Sequence, residues 1–257
     1  MVKAIFFDVD GTLMSHTSST VPNSTRKAVD LLSEKGIRRV IATGRHMLEL
    51  AQLPVCDMTF DAYITLNGQL CLDADGTIFS ENPIVGHQKE YLLQLFREKT
   101  IPIVLVEKDT MYINFWNEQV KIAQKAISSP MPEIGAYTGN EIYLAVAYLD
   151  REHEKTLLNP LTECKITRWN GYAVDIIASS GGKTVGIERY LSTNHISQEE
   201  TMAFGDGEND VDMLKYVGLG VAMGNAEQIV KEHADYVTDS VDDDGIMHAL
   251  ASLKILD

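Results

Sequence analysis

Only three cysteines stand in the 257 residues, Cys56, Cys71 and Cys164, with no CxxC pair and no Cys/His grouping. That excludes a disulfide framework and a thiolate zinc site, and it predicts reduced core thiols. Basic residues are also scarce: 22 Lys+Arg against 37 Asp+Glu leave a formal net charge of −15. A field of that sign repels nucleic acid and anionic headgroups, so neither nucleic acid nor a membrane surface is an expected partner. An anionic substrate would need local cations, from a metal or from individual Lys and Arg side chains. Long apolar runs are missing as well. None approaches the roughly 20 residues that span a bilayer, and the opening Met1-Val2-Lys3-Ala4-Ile5-Phe6-Phe7 is too short for a signal peptide. The expected location is the cytoplasm.

What is present is a globular composition, 45% hydrophobic and 23% charged, in a βα rhythm. The apolar run Ala4 to Phe7 precedes a helix-like stretch from Ser24 to Lys35, with Asn23 or Ser24 placed to cap its start and Gly36 its end. Val40 to Ala42, a helix from His46 to Leu53 before Pro54, and Ala62 to Leu66 continue the pattern of a parallel sheet. Gln69 to Leu72 and Thr77 to Ser80 flank an Asp75-Gly76 turn and read as a hairpin. From Pro83 to Ala178 the pattern becomes α+β; at Lys183 the βα rhythm resumes with a helix to Tyr190, the strand Thr201 to Phe204 and a helix from Asn209. The expected organisation is a discontinuous core of residues 1–82 and 179–257 interrupted by a module over 83–178.

Asp8-Val9-Asp10-Gly11-Thr12 directly follows the first strand and puts two carboxylates at its carboxyl end, where open α/β sheets bind ligands. Alone it fits an acidic turn equally well; an EF-hand is excluded because Thr12 stands where a third acid or Asn belongs. Two other strands end in polar clusters, Thr43-Gly44-Arg45 and Gly205-Asp206-Gly207-Glu208-Asn209-Asp210. Gathering such carboxylates on one rim is costly, since like charges about 4 Å apart repel by roughly 4 kcal/mol at an effective dielectric constant near 20. A divalent cation accounts for them. Asp8, Asp206 and Asp210 are hard oxygen donors that suit Mg²⁺. Lys183 opens a helix after Ser179-Ser180-Gly181-Gly182, where an ammonium and nearby amides can hold phosphate, although an exposed helix-cap lysine is the plainer alternative. Gly182-Lys183-Thr184 is no P-loop, because Ile177 occupies the position of that motif's first Gly.

The set Asp8-Val-Asp10-Gly-Thr, Thr43-Gly-Arg, Lys183 and Gly205-Asp206-Gly-Glu-Asn209-Asp210 resembles, in order and spacing, the four motifs of the haloacid dehalogenase superfamily. Asn67-Gly68 after the third strand, the insertion there, and Gly220-Val-Ala-Met-Gly224-Asn225-Ala resemble more narrowly the Cof-type sugar-phosphate phosphatases of subfamily IIB. The resemblance implies a Rossmann-like α/β core with a parallel sheet and an inserted α+β cap of the C2 type. It implies Asp8 as a nucleophile that forms an aspartyl-phosphate and Asp10 as the acid and then the base. For the acid role Asp10 must be protonated near neutral pH, which adjacent carboxylates would favour. Thr43, Gly44, Arg45, Lys183 and Asn209 would bind phosphate or substrate; Asp8, Asp10 through its carbonyl, Asp206 and Asp210, directly or through water, would hold Mg²⁺. The implied partner is a small phosphorylated metabolite, a hexose phosphate foremost, and the chain would be a monomer or weak homo-oligomer.

Asn67-Gly68 reads equally as a turn into the hairpin or as a hydrogen-bonded support of the site, and Arg45 as a substrate contact or as the partner of an acid on the helix it begins. In the inserted module Glu107, Asn114, Trp116, Arg168, Trp169 and Tyr172 are the side chains able to meet a sugar, with core packing an equal account of the aromatics. A phosphomutase of the phosphomannomutase type, or a phosphatase for pyridoxal phosphate or flavin mononucleotide, stays open. A receiver-type switch is disfavoured by the large insertion and by Asp10. A dinucleotide site is excluded by Asp210 at the last position of its Gly pattern.

Overall fold

The computed structural model describes residues 1–126 and 129–256. The chain divides into two compact units, Met1–Glu81 with Gly182–Asp257, and Asn82–Gly181 between them. The turn at 178–181 belongs to the inserted unit because its polar groups are spent there: Ser179 N–H donates to Glu163 O at 3.0 Å and Ser180 Oγ to Asn82 Oδ1 at 3.1 Å.

The first unit begins β1 (Ala4–Phe7), α1 (Asn23–Glu34), β2 (Arg38–Ala42), α2 (Met47–Leu50), β3 (Ala62–Thr65), β4 (Leu70–Asp73) and β5 (Ile78–Glu81). The inserted unit contributes α3 (Gly86–Arg97), β6 (Ile103–Val106), β7 (Met111–Ile113), α4 (Glu118–Ala126), β8 (Leu144–Tyr148), α5 (Arg151–Leu157), β9 (Cys164–Asn170) and β10 (Ala173–Ala178). The first unit then resumes with α6 (Lys183–Asn194), β11 (Thr201–Gly205), α7 (Val211–Tyr216), β12 (Leu219–Ala222), α8 (Gln228–Lys231), β13 (Tyr236–Val237) and α9 (Gly245–Ser252).

In the first unit the strand order is β13-β12-β11-β1-β2-β3-β4-β5, parallel from β13 to β3 and closed by the antiparallel pair β4 and β5. β1 is apolar at every position, as are its neighbours β2 from Val40 and β11 from Met202, because both faces are covered there. Ile5, Phe7, Ile41, Met202 and Phe204 point to one core with residues of α1 and α9, while Phe6, Val40, Ala203 and Tyr190 form the other with α6 and α7. Phe7 stacks on Phe204 at 5.4 Å and Phe6 meets Tyr190 edge-on at 5.9 Å, each ring adding about 1.5–3 kcal/mol of burial. Chain order reverses at β1, with β2 on one side and β11 on the other, so a crevice opens at their carboxyl ends. The inserted unit is a wholly antiparallel sheet, β7-β6-β8-β10-β9, whose core includes Leu92, Phe96, Leu105, Ala147 and Ile176.

Several local expectations are corrected. No side chain caps α1, whose N-cap is Pro22; the Ser24 hydroxyl instead donates to Asp244. α2 is one turn long, capped by His46 and Glu49, and Pro54 opens a separate 3₁₀ turn. α6 runs on to Asn194 and ends at left-handed His195. The helix expected from Asn209 starts at Val211, because 208–210 is a 3₁₀ turn with the Asp210 carboxylate folded back on the amides before it. β9 escaped the sequence reading; it is a half-exposed edge strand of alternating burial. Cys71 is a core thiol, pushed up to about 12 by burial, and Cys164 is half-buried, but Cys56 is exposed in the 3₁₀ turn. No helix among the described residues is long and apolar enough to cross a membrane.

Candidate active site

Three strand ends meet at the reversal point: Asp8 follows β1, Thr43 follows β2 and Asp206 follows β11. The Asp8 amide completes the ladder to Phe204 O at 3.0 Å, so its carboxylate rises from the sheet edge at a fixed position. Lys183, the first residue of α6, donates Nζ to Asp8 Oδ1 at 2.7 Å and to Asp210 Oδ1 at 2.6 Å. All three side chains are buried. Asp210 Oδ2 accepts the amides of Asp206 and Gly207, both at 3.0 Å. Asp210 therefore anchors the lysine and shapes the loop that carries Asp206.

Two carboxylates share one ammonium, and the electrostatics follow. Burial, reinforced by Asp210, pushes Asp8 up to about 8 despite the opposing pull of Lys183. Burial alone would lower Lys183, but Asp210 and Asp8 outweigh it and hold the ammonium above its ordinary value. Burial, then Asp210, raises Asp206 to about 6. The cluster is short of positive charge.

Oxygens of Asp8, Asp206 and Asp210 lie within 4.8 Å of one another, an all-carboxylate donor set that fits a hard divalent cation. Asp206 is held by Thr12 Oγ1 at 3.2 Å and by Asn225 Nδ2 at 3.1 Å. Asn225 Nδ2 also donates to Gly11 O at 2.8 Å, and its Oδ1 accepts Val241 N–H at 2.9 Å, which ties the Asp8 loop and the 240–244 loop to Asp206. Gly11 sits at φ 80°, and a Cβ there would stand 2.1 Å from Asp206 Oδ2. Only glycine lets the loop approach so closely. Asp210 is fully buried with both oxygens on protein donors, whereas Asp8 and Asp206 line the cavity, so these two are the readier ligands.

A cavity of about 290 Å³ is lined by Asp8, Asp10, His16, Thr43, Gly44, Arg45, Asp206, Gly207 and Asn209. Thr43 is buried and its Oγ1 accepts Arg45 N–H at 3.2 Å. Arg45 forks onto Asp10, Nε to Oδ2 and Nη2 to Oδ1, each at 2.7 Å, with Glu49 farther away at 3.7 Å. Asp10 raises Arg45 above its ordinary value. Arg45 thus pairs chiefly with Asp10 rather than with the acid on its own helix, and Asp10 faces a guanidinium where neighbouring carboxylates were expected to set its protonation.

All the site residues expected from the motifs lie in this one neighbourhood, with Lys183 and Asp210 beneath the cavity. Sequence reasoning missed His16, whose Nε2 is 3.7 Å from Asp206 Oδ2, and it named Asn225 without a function. The loop that brings His16 back has no periodicity to announce it. In the inserted unit most of the residues considered for a sugar are spent on their own fold. Asn114 bonds Ile103 N–H, Phe96 O and Ile101 O; Arg168 bonds Glu154 and three carbonyls; Trp169 donates to Asp175. Buried Glu107 accepts from Tyr112, Thr138 and Asn140, and these bonds outweigh burial and lower it.

The sequence pattern of the haloacid dehalogenase-like hydrolases matches residues 5–250. The chain belongs to that family. Its relatives include the candidate phosphatase YkrA of Bacillus subtilis, 34% identical over 99% of this chain and 98% of YkrA. Among solved structures, BT1666 of Bacteroides thetaiotaomicron, from a study of phosphatases of the superfamily, superposes with a TM-score of 0.89 at 31% identity over 100% of this chain and 96% of that one. The subclass IIB sugar phosphatase BT4131 superposes at 0.83 with 33% identity over 99% and 100%. The molecule is a haloacid dehalogenase-like phosphatase of the Cof type, with a Rossmann-like core and an inserted cap.

Proposed function

We propose that this phosphatase hydrolyses small phosphate monoesters, hexose phosphates foremost, through an aspartyl-phosphate on Asp8 and with Mg²⁺. The observation that carries the reading is the asymmetry of Asp8: Lys183 holds Oδ1 at 2.7 Å, and among the described residues Oδ2 has no donor, in a carboxylate that lines the cavity.

Asp8 Oδ2 attacks phosphorus and the ester P–O bond breaks; the leaving alkoxide takes a proton from Asp10. Water then attacks the phosphorus, passing its proton to Asp10, and the P–O bond to Asp8 breaks to release inorganic phosphate. Thr43, Gly44 and Asn209 bind the transferring oxygens, and Lys183 steadies the nucleophile. Proton delivery requires the fork between Asp10 and Arg45 to open. Asp8 and Asp206, with the Asp10 carbonyl, are the residues that would hold Mg²⁺, and Asp210 serves through Lys183 and the loop. The ion supplies positive charge for the phosphoryl oxygens in a cluster whose raised carboxylates call for it. We assign substrate selection to the cap and the working site to the cytoplasm, a setting that three unpaired cysteines support.

Phosphate release from sugar phosphates, pyridoxal phosphate, flavin mononucleotide and p-nitrophenyl phosphate, with and without Mg²⁺, tests the reading. The expected result is Mg²⁺-dependent release with the highest kcat/KM on a hexose phosphate. Metal-independent release, or transfer from a sugar bisphosphate to a second hydroxyl without free phosphate, would overturn it.

A further inference from the structure

The turn after β3 is left-handed at three successive residues, Leu66, Asn67 and Gly68, with φ of 51°, 54° and 83°. Asn and Gly tolerate that region; a leucine there costs about 1–3 kcal/mol and persists only where its surroundings enforce it. Those surroundings are the loops of the phosphoryl site. Leu66 N–H donates to Arg45 O at 3.1 Å and Asn67 N–H to Thr43 O at 2.9 Å. Gly68 is so close to the start of α6 that a Cβ on it would stand 2.1 Å from Gly182 O and 3.2 Å from the Lys183 nitrogen. The Asn67 carboxamide accepts Asn209 Nδ2 at 3.3 Å, and a Cβ on Gly44 would lie 3.3 Å from either of its polar atoms.

Three separate stretches of chain, at Thr43 to Arg45, at Gly182 and Lys183, and at Asn209, are therefore set against one rigid turn that lines none of the cavity itself. We propose that Asn67 is a positioning residue of the phosphatase reaction. Its carboxamide sets the spacing between the Thr43-Gly44 loop and Asn209, and so the shape of the space that receives the transferring phosphoryl group. This rests on reading Thr43 and Asn209 as phosphate-binding residues. A turn that served only to lead into β4 would need the left-handed backbone and not the amide.

Asn67→Gly separates the two, because glycine adopts the left-handed conformation freely and deletes only the carboxamide. The readouts are kcat and KM of the full-length enzyme on p-nitrophenyl phosphate, inhibition by orthovanadate, and melting temperature. The expected outcome is a fall in kcat/KM of about 10- to 100-fold, a matching loss of vanadate affinity, and a melting temperature within about 3 °C of the parent. In an Asn209→Ala background the same change should cost less than about twofold, since the partner is already gone. An Asn67→Gly enzyme within twofold of the parent overturns the assignment, as do losses that multiply in the double variant. So does an activity loss that vanishes well below both melting temperatures, the mark of a purely structural turn. A parent without vanadate-sensitive turnover overturns the reading of the site and this assignment with it; an active parent with an unaffected variant overturns this assignment alone.

Discussion

Asp10 and Arg45 are joined by two parallel hydrogen bonds of 2.7 Å that occupy both carboxylate oxygens. A carboxylate so paired can protonate a leaving group only after the guanidinium swings away. If Asp10 is the acid, Asp10→Ala should slow hydrolysis of an alkyl phosphate about 100-fold more than that of p-nitrophenyl phosphate, whose leaving group needs little protonation. Steady-state rates on the two esters decide it, and equal losses would remove Asp10 from the acid role.

Replacing the partners of the buried triad should have opposite effects on stability. Asp8→Asn abolishes turnover yet removes a carboxylate that burial already disfavours, so the metal-free variant should melt at or above the parent at pH 8. Lys183→Met leaves Asp8 and Asp210 buried without their ammonium and should cost about 3–5 kcal/mol. Urea denaturation of both variants measures the contrast; a stable Lys183→Met would show that the ammonium is dispensable to the fold.

Stability without metal should fall as pH rises. Asp206 at about 6 and Asp8 at about 8 both lie above the ordinary 3.8, so the folded chain binds more protons than the unfolded one. Such groups favour the fold below about pH 4 and lose that contribution as pH climbs through their folded values, here between about 4 and 8. Mg²⁺ favours the ionised forms, so the rise in melting temperature it causes should grow over the same window. Calorimetry in EDTA and in Mg²⁺ tests both signs; a metal-free melting temperature that rises from pH 5 to 8 would contradict them.

Asn225 holds Asp206 and does not itself line the cavity. Asn225→Ala should raise the Mg²⁺ concentration needed for half-maximal rate by about 10- to 100-fold while leaving kcat at saturating Mg²⁺ far less changed. A Mg²⁺ titration of activity separates the two, and an unshifted titration would make Asn225 a loop tie only.

The motif residues and the βα alternation were legible because each is a local property: an apolar run with a carboxylate at its end needs no knowledge of distant residues. Which strand lies beside β1 is a different matter. The register of Phe7 with Phe204 and Ile41 brings Asp8, Thr43 and Asp206 to one rim, and that register is set by ladder pairing between strands far apart in the chain. The lengths of α2 and α6 turned on backbone conformation at their own ends, Ala51 and left-handed His195, which side-chain periodicity does not report, and so did the exposure of Cys56 in its 3₁₀ turn.

By itself, then, the order of amino acids determined the chemical inventory, which acids, which lysine, which strand ends, since those follow from side-chain type and short-range periodicity. Tertiary structure alone decided who pairs with whom: that Arg45 takes Asp10, that Asp210 spends its oxygens on Lys183 and two amides, and that a strained turn at Leu66 braces three loops. Pairing is a matter of distance and burial between residues as much as 220 positions apart, as with Ser24 and Asp244, and no local pattern encodes it.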